Sequence, residues 1–324
     1  MTAELIPPAS STSAPDLPTS RGACRPIAVV GPTGAGKSDL GLALAHHFVG
    51  EVVNVDSMQL YRGMDIGTAK LSLVEREGVR HHQLDVLEVT DTASVAAYQR
   101  DAVADVNDII ARGKTPIIVG GSMMYAQALL DQWEFPPTQP EVRDKYYARQ
   151  ERLGTQALHR ELAQIDPEAA KIIEANDPRR IVRALEVIEL TSKPFRASQP
   201  DKTAAYRWDA HVFGLSADPD WYADRIKLRT QKMFQQGLVD EVRHLQQAGL
   251  VADSTAGRAI GYAQVLAHLD GELSREEAEE KTFIATRQYA RRQRSWFRRD
   301  KRITWLDAAN DPIAQAMEYL QELQ

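Results

Sequence analysis

Pro26-Ile-Ala-Val-Val-Gly-Pro-Thr-Gly-Ala-Gly-Lys-Ser-Asp-Leu40 is an apolar run, a glycine-rich turn and the opening of an apolar-periodic segment. Its reading decides the fold. Ile27 to Val30 is short, apolar and rich in β-branched residues, as a buried strand is, and Asp39 to Phe48 carries Leu40, Leu42, Leu44 and Phe48 and reads as a helix. Between them Gly31 to Ser38 fits the phosphate-loop pattern G-x-x-x-x-G-K-[ST] at every defined position. Such a loop works through its backbone. Amides along Gly31, Thr33, Gly34, Ala35 and Gly36 converge on phosphate oxygens, the helix N-terminus adds positive potential, Lys37 supplies a point charge, and the Ser38 hydroxyl is a ligand for Mg2+.

Working outward, further strand candidates are Glu51 to Asp56, Thr115 to Val119 and Asp209 to Leu215, with a helical stretch from Ser94 to Ala111 between the first two. Strands alternating with helices predict an α/β fold, with a P-loop nucleotide-kinase-like parallel sheet covered by helices on both faces. From about Glu141 the strand-like runs stop. Helical stretches at Arg143 to Leu153, Thr155 to Ile165 and Arg179 to Leu190 predict a mainly helical insertion over 141–204, dividing a core of 25–140 and 205–324. Trp221 to Ala248, Ala259 to Leu269 and Arg275 to Phe297 read as long amphipathic helices. Residues 1–24, rich in Ser, Thr, Pro and Ala, have too little apolar surface to offset ordering and are expected to be a disordered tail.

In 324 residues, 43% hydrophobic content supports one large or two modest cores, and the single cysteine, Cys24, excludes an internal disulfide framework and any multi-cysteine metal site. No uncharged apolar run approaches the roughly 18 residues of a membrane span, and no basic region followed by an apolar one opens the chain. The expectation is a cytoplasmic, monomeric protein with no membrane association. A net charge of -6 argues against a polyanion partner, but charge is unevenly placed. Arg287, Arg291, Arg292, Arg294, Arg298, Arg299, Lys301 and Arg302 crowd one stretch, which is either a solvated helix face or a nucleic-acid footprint. Tyr289, Trp296 and Phe297 are interleaved with it, and packing into the core is the favoured reading for the last two. The adjacent pair His81-His82 lacks metal-ligand spacing and is assigned to structure.

A phosphate loop usually signals nucleotide hydrolysis or phosphoryl transfer, which needs a strand-end aspartate to organise magnesium. Ile117-Ile-Val-Gly-Gly-Ser122 ends without one, and the nearest candidate carboxylate is Asp56. On these residues alone the site binds a diphosphate and its chemistry stays open, an ATP-dependent small-molecule kinase included.

Beyond the loop, Val55-Asp-Ser-Met-Gln-Leu-Tyr61, Gly63-Met-Asp-Ile-Gly-Thr-Ala-Lys70, His81-His82-Gln-Leu-Asp85, Asn176-Asp-Pro-Arg-Arg-Ile-Val-Arg-Ala-Leu-Glu-Val187, Ala259-Ile-Gly-Tyr262 and Thr286-Arg-Gln-Tyr-Ala-Arg-Arg-Gln293 stand in order. Together they resemble the signature blocks of the tRNA dimethylallyltransferases, also called tRNA isopentenyltransferases. The resemblance implies transfer of a dimethylallyl group from dimethylallyl diphosphate to the N6 amine of the adenosine 3′ of the anticodon, with Mg2+ as cofactor and the tRNA anticodon stem-loop as partner. A relative acting on free adenine nucleotides is the neighbouring alternative. It implies Asp56 as general base, Ser122 as an orienting hydroxyl and Arg229 as the arginine beside the leaving group. It also implies tRNA contacts by Asp56, Ser57, Met58, Gln59, Ser122, Arg143, Arg179, Arg180, Arg183, Arg258, Gly261, Tyr262, Arg287, Gln288, Arg291 and Arg292. Ser122 stands where the family usually has threonine and lacks the methyl that restricts its rotamer, so a looser hydroxyl is expected. Ala263 stands where many relatives have a lysine or arginine.

Overall fold

The computed structural model describes residues 24–133, 135–195 and 204–323; the expected disordered tail lies outside them except for Cys24. Six strands form one parallel sheet: β1 (Ile27–Val30), β2 (Glu51–Asn54), β3 (His81–His82), β4 (Pro116–Gly120), β5 (His211–Ser216) and β6 (Thr304–Asp307), in the order β3-β2-β4-β1-β5-β6. Ile27 pairs with Ile117 on one side and His211 on the other, so β1 is central. A strand buried on both faces must be apolar at every position. Ala28 and Val30 enter a core with Val53, Ile118 and residues of α2 (Val95–Ala111) and α3 (Met123–Leu130), while Ile27 and Val29 enter another with Leu40 and Leu44 of α1 (Lys37–His47) and Leu320 of α12 (Pro312–Glu322).

The strands β3 and β6 had no counterpart in the sequence reading. β3 is two residues long, too short for a periodicity signal, and its pairing with Val52 and Val53 is the only thing that makes it a strand. β6 is partly exposed and alternates weakly. Trp221 to Ala248, read as one helix, is two: α8 (Pro219–Gln235) and α9 (Leu238–Gln247). Gly237, at φ 103°, takes the left-handed backbone that ends the first and starts the second.

Four helices follow α3 before β5: α4 (Pro140–Leu153), α5 (Thr155–Ile165), α6 (Pro167–Ile172) and α7 (Pro178–Thr191). They pack on one another around Tyr146, Leu158, Leu162, Ile181 and Leu185, a core separate from the sheet. After β5, α8 and α9 are followed by α10 (Tyr262–Leu269) and α11 (Arg275–Phe297). A fourth core joins α9 and α10 to the segment carrying Tyr61 and Met64. α11 begins with a capping box in which the Ser274 hydroxyl accepts from the Glu277 amide and the Glu277 carboxylate accepts from the Ser274 amide.

Candidate active site

The carboxyl ends of β1, β2 and β4 open on a cleft of about 480 Å3 whose walls include Lys37, Ser38, Asp56, Arg229, Thr286, Tyr289 and Gln293. Parallel sheets put their sites there because helix N-termini and strand-end loops converge at that edge. The phosphate loop follows β1. Gly36, at φ 86°, caps α1, so the helix starts at Lys37 with its amide dipoles facing the cleft. The Lys37 ammonium donates to the Pro32 carbonyl at 2.7 Å, folding back over the loop. From α8, the Arg225 Nε donates to the Gly34 carbonyl at 2.9 Å and its guanidinium lies over the Trp221 ring.

The opposite wall is built on the ends of β2 and β4. The Asn54 side chain accepts from the Asp56 amide at 3.0 Å and donates to the Asp56 and Gln83 carbonyls, fixing the turn out of β2. The Asp56 carboxylate accepts from the Met58 amide at 2.9 Å through one oxygen. Across from it, the Ser122 hydroxyl accepts from the Ser57 amide at 2.9 Å and donates to the Ser57 hydroxyl at 3.1 Å. Ser122 is buried, and these two hydrogen bonds orient its hydroxyl. Gln59 and Arg229 meet at the Thr68 carbonyl, donating at 3.1 and 3.3 Å.

Electrostatics divide the cleft into a cationic and an anionic side. Burial, with the Arg229 guanidinium adding to it and Asp56 opposing, lowers the Lys37 pKa to about 8. Burial also lowers the Arg229 pKa, partly offset by Asp56. Two cations held together beside one carboxylate leave a surplus of positive charge, the arrangement that draws in a polyanion. Burial and the Asp56 charge push the Tyr289 phenol up to about 12, so it stays protonated and hydrogen-bonding.

The chain matches the family model described as IPP transferase over residues 59–300. It is 65% identical over 295 residues to the tRNA dimethylallyltransferase of Corynebacterium glutamicum, covering 91% of this chain and 98% of that protein. The chain belongs to the IPP transferase family. Another IPP transferase relative, the tRNA dimethylallyltransferase of Rhodococcus jostii, is 60% identical over 289 residues, which are 89% of this chain and 93% of its own. Among solved structures, the full-length tRNA isopentenylpyrophosphate transferase of Bacillus halodurans superposes with a TM-score of 0.67 at 36% identity, over 93% of this chain and 95% of that one. A eukaryotic dimethylallyltransferase acting on tRNA superposes with a TM-score of 0.78 at 28% identity, over 92% and 79%.

Set in this IPP transferase fold, the residues expected from sequence fall into three groups. Thr33, Lys37, Ser38, Asp56, Ser57, Met58, Gln59, Arg229, Arg258 and Arg292 line the cleft together. Arg287, Gln288 and Arg291 lie on the exposed side of α11, and Arg179 and Arg180 are exposed at the start of α7. Ser122, Arg143, Arg183 and Tyr262 do not line the cleft and have structural partners. Arg143 and Arg183 both engage Glu186, whose side chain is fully buried and also accepts from Thr138 and the Gln139 amide. The Tyr262 ring is fully buried and its hydroxyl donates to Glu241 at 2.6 Å, so in this conformation it supports the fold and presents no face to a ligand. Glu241 in turn accepts from the Asp65, Ile66 and Gly67 amides and holds the loop bordering the cleft. Lys70 of the same signature block is buried between Asp65 and Asp85, at 2.7 and 2.6 Å.

His82 is likewise structural, contacting Glu51 at 2.8 Å and Asp105 at 3.3 Å. Its pKa is raised, the hydrogen bond to Asp105 being the largest cause. Phe297 is buried in the core beside the sheet and Trp296 packs against it, as expected. Sequence reasoning missed Arg225 and Gln293. Gln293 ends the last signature block, next to the arginines that drew attention, and nothing about a single glutamine marks it as buried.

Proposed function

We propose that the cleft binds dimethylallyl diphosphate by its phosphate loop and transfers the dimethylallyl group to the N6 amine of the adenosine 3′ of the anticodon in tRNA. The observation that carries this reading is the opposition, in one cleft, of a phosphate loop and the half-buried Lys37 and Arg229 to a single carboxylate held by the Met58 amide. A phosphoryl-transfer enzyme needs that carboxylate on its metal; a prenyl transferase needs it at an amine. The names of the relatives and of the solved tRNA complex support the same assignment.

In the reaction the allylic C–O bond breaks with its electron pair going to the diphosphate oxygen. The N6 lone pair forms the new C–N bond, and an N6 proton passes to the Asp56 carboxylate. The adenine amine is a weak nucleophile because its lone pair is delocalised into the ring, so proton removal must accompany bond formation. Lys37, Arg229 and the loop amides neutralise the departing diphosphate. Asp56, with one oxygen on the Met58 amide, keeps the other for the amine. Ser122 and Tyr289 orient the base. The aliphatic walls Val52, Val119, Ile226 and Met233 exclude water from a developing allyl cation.

The donor set also fits Mg2+. The Ser38 hydroxyl, a hard oxygen ligand lining the cleft, would hold the ion, leaving the free Asp56 oxygen for the amine. Among the described residues no group of three or more metal-ligating side chains exists, which suits an ion that keeps water and phosphate oxygens as its other ligands. Such an ion supplies charge neutralisation at the leaving group. The target base must leave its stack to reach the cleft, which a loop permits at lower cost than a duplex. Arg287, Arg291 and Arg292 on α11 are the phosphate contacts for that loop, with a tRNA-modifying role that places the protein in the cytoplasm. Among the described residues no helix is long and apolar enough to cross a membrane.

Incubation of tRNA with the protein and dimethylallyl diphosphate, followed by mass analysis of nucleosides, is expected to give N6-dimethylallyladenosine. In parallel reactions supplied with AMP or with ATP, prenylation of AMP and not of tRNA would reassign the acceptor, and turnover of ATP with no prenylated product would overturn the reading.

A further inference from the structure

Gln293 is 2% exposed, and its carboxamide joins two segments more than 80 residues apart. The Oε1 accepts from the Thr33 amide at the crest of the phosphate loop, at 2.9 Å. The Nε2 donates to the carbonyl of Gly121, in the turn between β4 and Ser122, at 2.8 Å. One side chain thus ties the diphosphate-binding wall to the wall that carries the orienting hydroxyl. Tyr289, one turn earlier on α11, lines the same cleft beside Gln293. The fit is close: a Cβ on Gly121 would lie 2.4 Å from the Gln293 Nε2 and 3.4 Å from the Lys37 ammonium. Arg287, Arg291 and Arg292 project from the exposed side of the same helix.

We propose that Gln293 is a positioning residue that holds the crest of the phosphate loop in register with the turn carrying Ser122, and so sets the affinity of the loop for a diphosphate. This rests on the prenyl-transfer reading only for the identity of the donor; the tie itself acts on any diphosphate. A carboxamide is the group the position requires, because the Thr33 N–H needs an acceptor and the Gly121 carbonyl needs a donor. Without it both backbone groups are left unpaired inside the protein, and the loop must move to find partners.

The test is binding of inorganic diphosphate with Mg2+ to the full chain by calorimetry, beside binding of an anticodon stem-loop RNA. Gln293→Met keeps the volume and removes both hydrogen bonds. It is expected to weaken diphosphate binding, and to raise the KM for dimethylallyl diphosphate, by about tenfold, with stem-loop affinity within about twofold and the melting temperature within about 3 °C. If that variant does not fold, Gln293→Asn carries the same test: it stays polar but is one methylene too short to span both partners, and a loss of threefold or more is expected. Unchanged diphosphate affinity overturns the proposal. So does an equal loss of diphosphate and RNA binding together with a lower melting temperature, which would make Gln293 an ordinary core residue. Absence of prenylated nucleoside with the unaltered protein would instead overturn the functional reading and leave the diphosphate result standing.

Discussion

Raising the pH from 7 to 9 is expected to weaken use of the prenyl donor about tenfold, through Lys37. Burial is the largest reason for its lowered pKa, the Arg229 guanidinium is the second, and the Asp56 carboxylate acts the other way. With a pKa of about 8 in the free protein, about nine-tenths of the molecules carry the ammonium at pH 7 and about one-tenth at pH 9. A bound diphosphate sets negative charge against the Nζ and pulls its pKa back up. Binding above pH 8 therefore takes up a proton, and the apparent KM for dimethylallyl diphosphate rises as pH rises. The assay is initial-rate KM at saturating tRNA between pH 7 and 9, with calorimetry of diphosphate binding in two buffers of different ionisation enthalpy to count the protons. Lys37→Arg keeps a cation that does not titrate in this range, so its KM should start higher from the changed geometry and stay flat. A flat profile for the unaltered protein, or the same slope in the arginine variant, would show that Lys37 is not the titrating group.

Asp56→Asn should lower turnover at least a hundredfold while stem-loop affinity stays within about twofold, as loss of a general base does; single-turnover kinetics with a filter-binding control separates the two. Arg291→Ala combined with Arg292→Ala should weaken tRNA binding and reduce the salt slope of log affinity by roughly 1.4 to 1.8, the share of two phosphate contacts, and an unchanged slope would leave that face merely solvated. Glu186→Ala strips the shared partner from Arg143 and Arg183 and should destabilise the four-helix insertion by about 3 kcal/mol, read as faster hydrogen exchange over residues 140–191. Burial alone would raise the Glu186 pKa, but hydrogen bonds from Thr138, Arg183 and the Gln139 amide hold it below the usual value. Its contribution is therefore present above the unfolded pKa and is lost as pH falls through the folded one, so thermal melts should show the insertion loosening in acid.

The phosphate loop was legible because its residue types follow from backbone geometry, and β1 was legible because a strand covered on both faces is apolar throughout. Asp56 was singled out through the signature block that carries it and Ser122 at the end of the run from Ile117, and the capping box at Ser274 marks the start of α11 in plain letters. What escaped was set by packing. Two-residue β3 exists through its neighbour alone, and Gly237 divides a helical pattern whose periodicity continues across it. The arginines show the same limit. Arg143, Arg183 and Arg292 are alike as letters, yet the first two close on a buried glutamate and the third faces the cleft. Only the fold decides which cation has a carboxylate within reach.

The cleft draws its walls from nearly the whole length of the chain, with Thr33 at one end and Gln293 near the other. During synthesis the ribosome therefore releases the phosphate loop long before the helix that completes its enclosure. A nascent chain carries a diphosphate cradle with one wall missing, open to solvent, until the last tenth of the polypeptide emerges. The cleft is therefore complete only late, when the wall carrying Tyr289 and Gln293 has emerged.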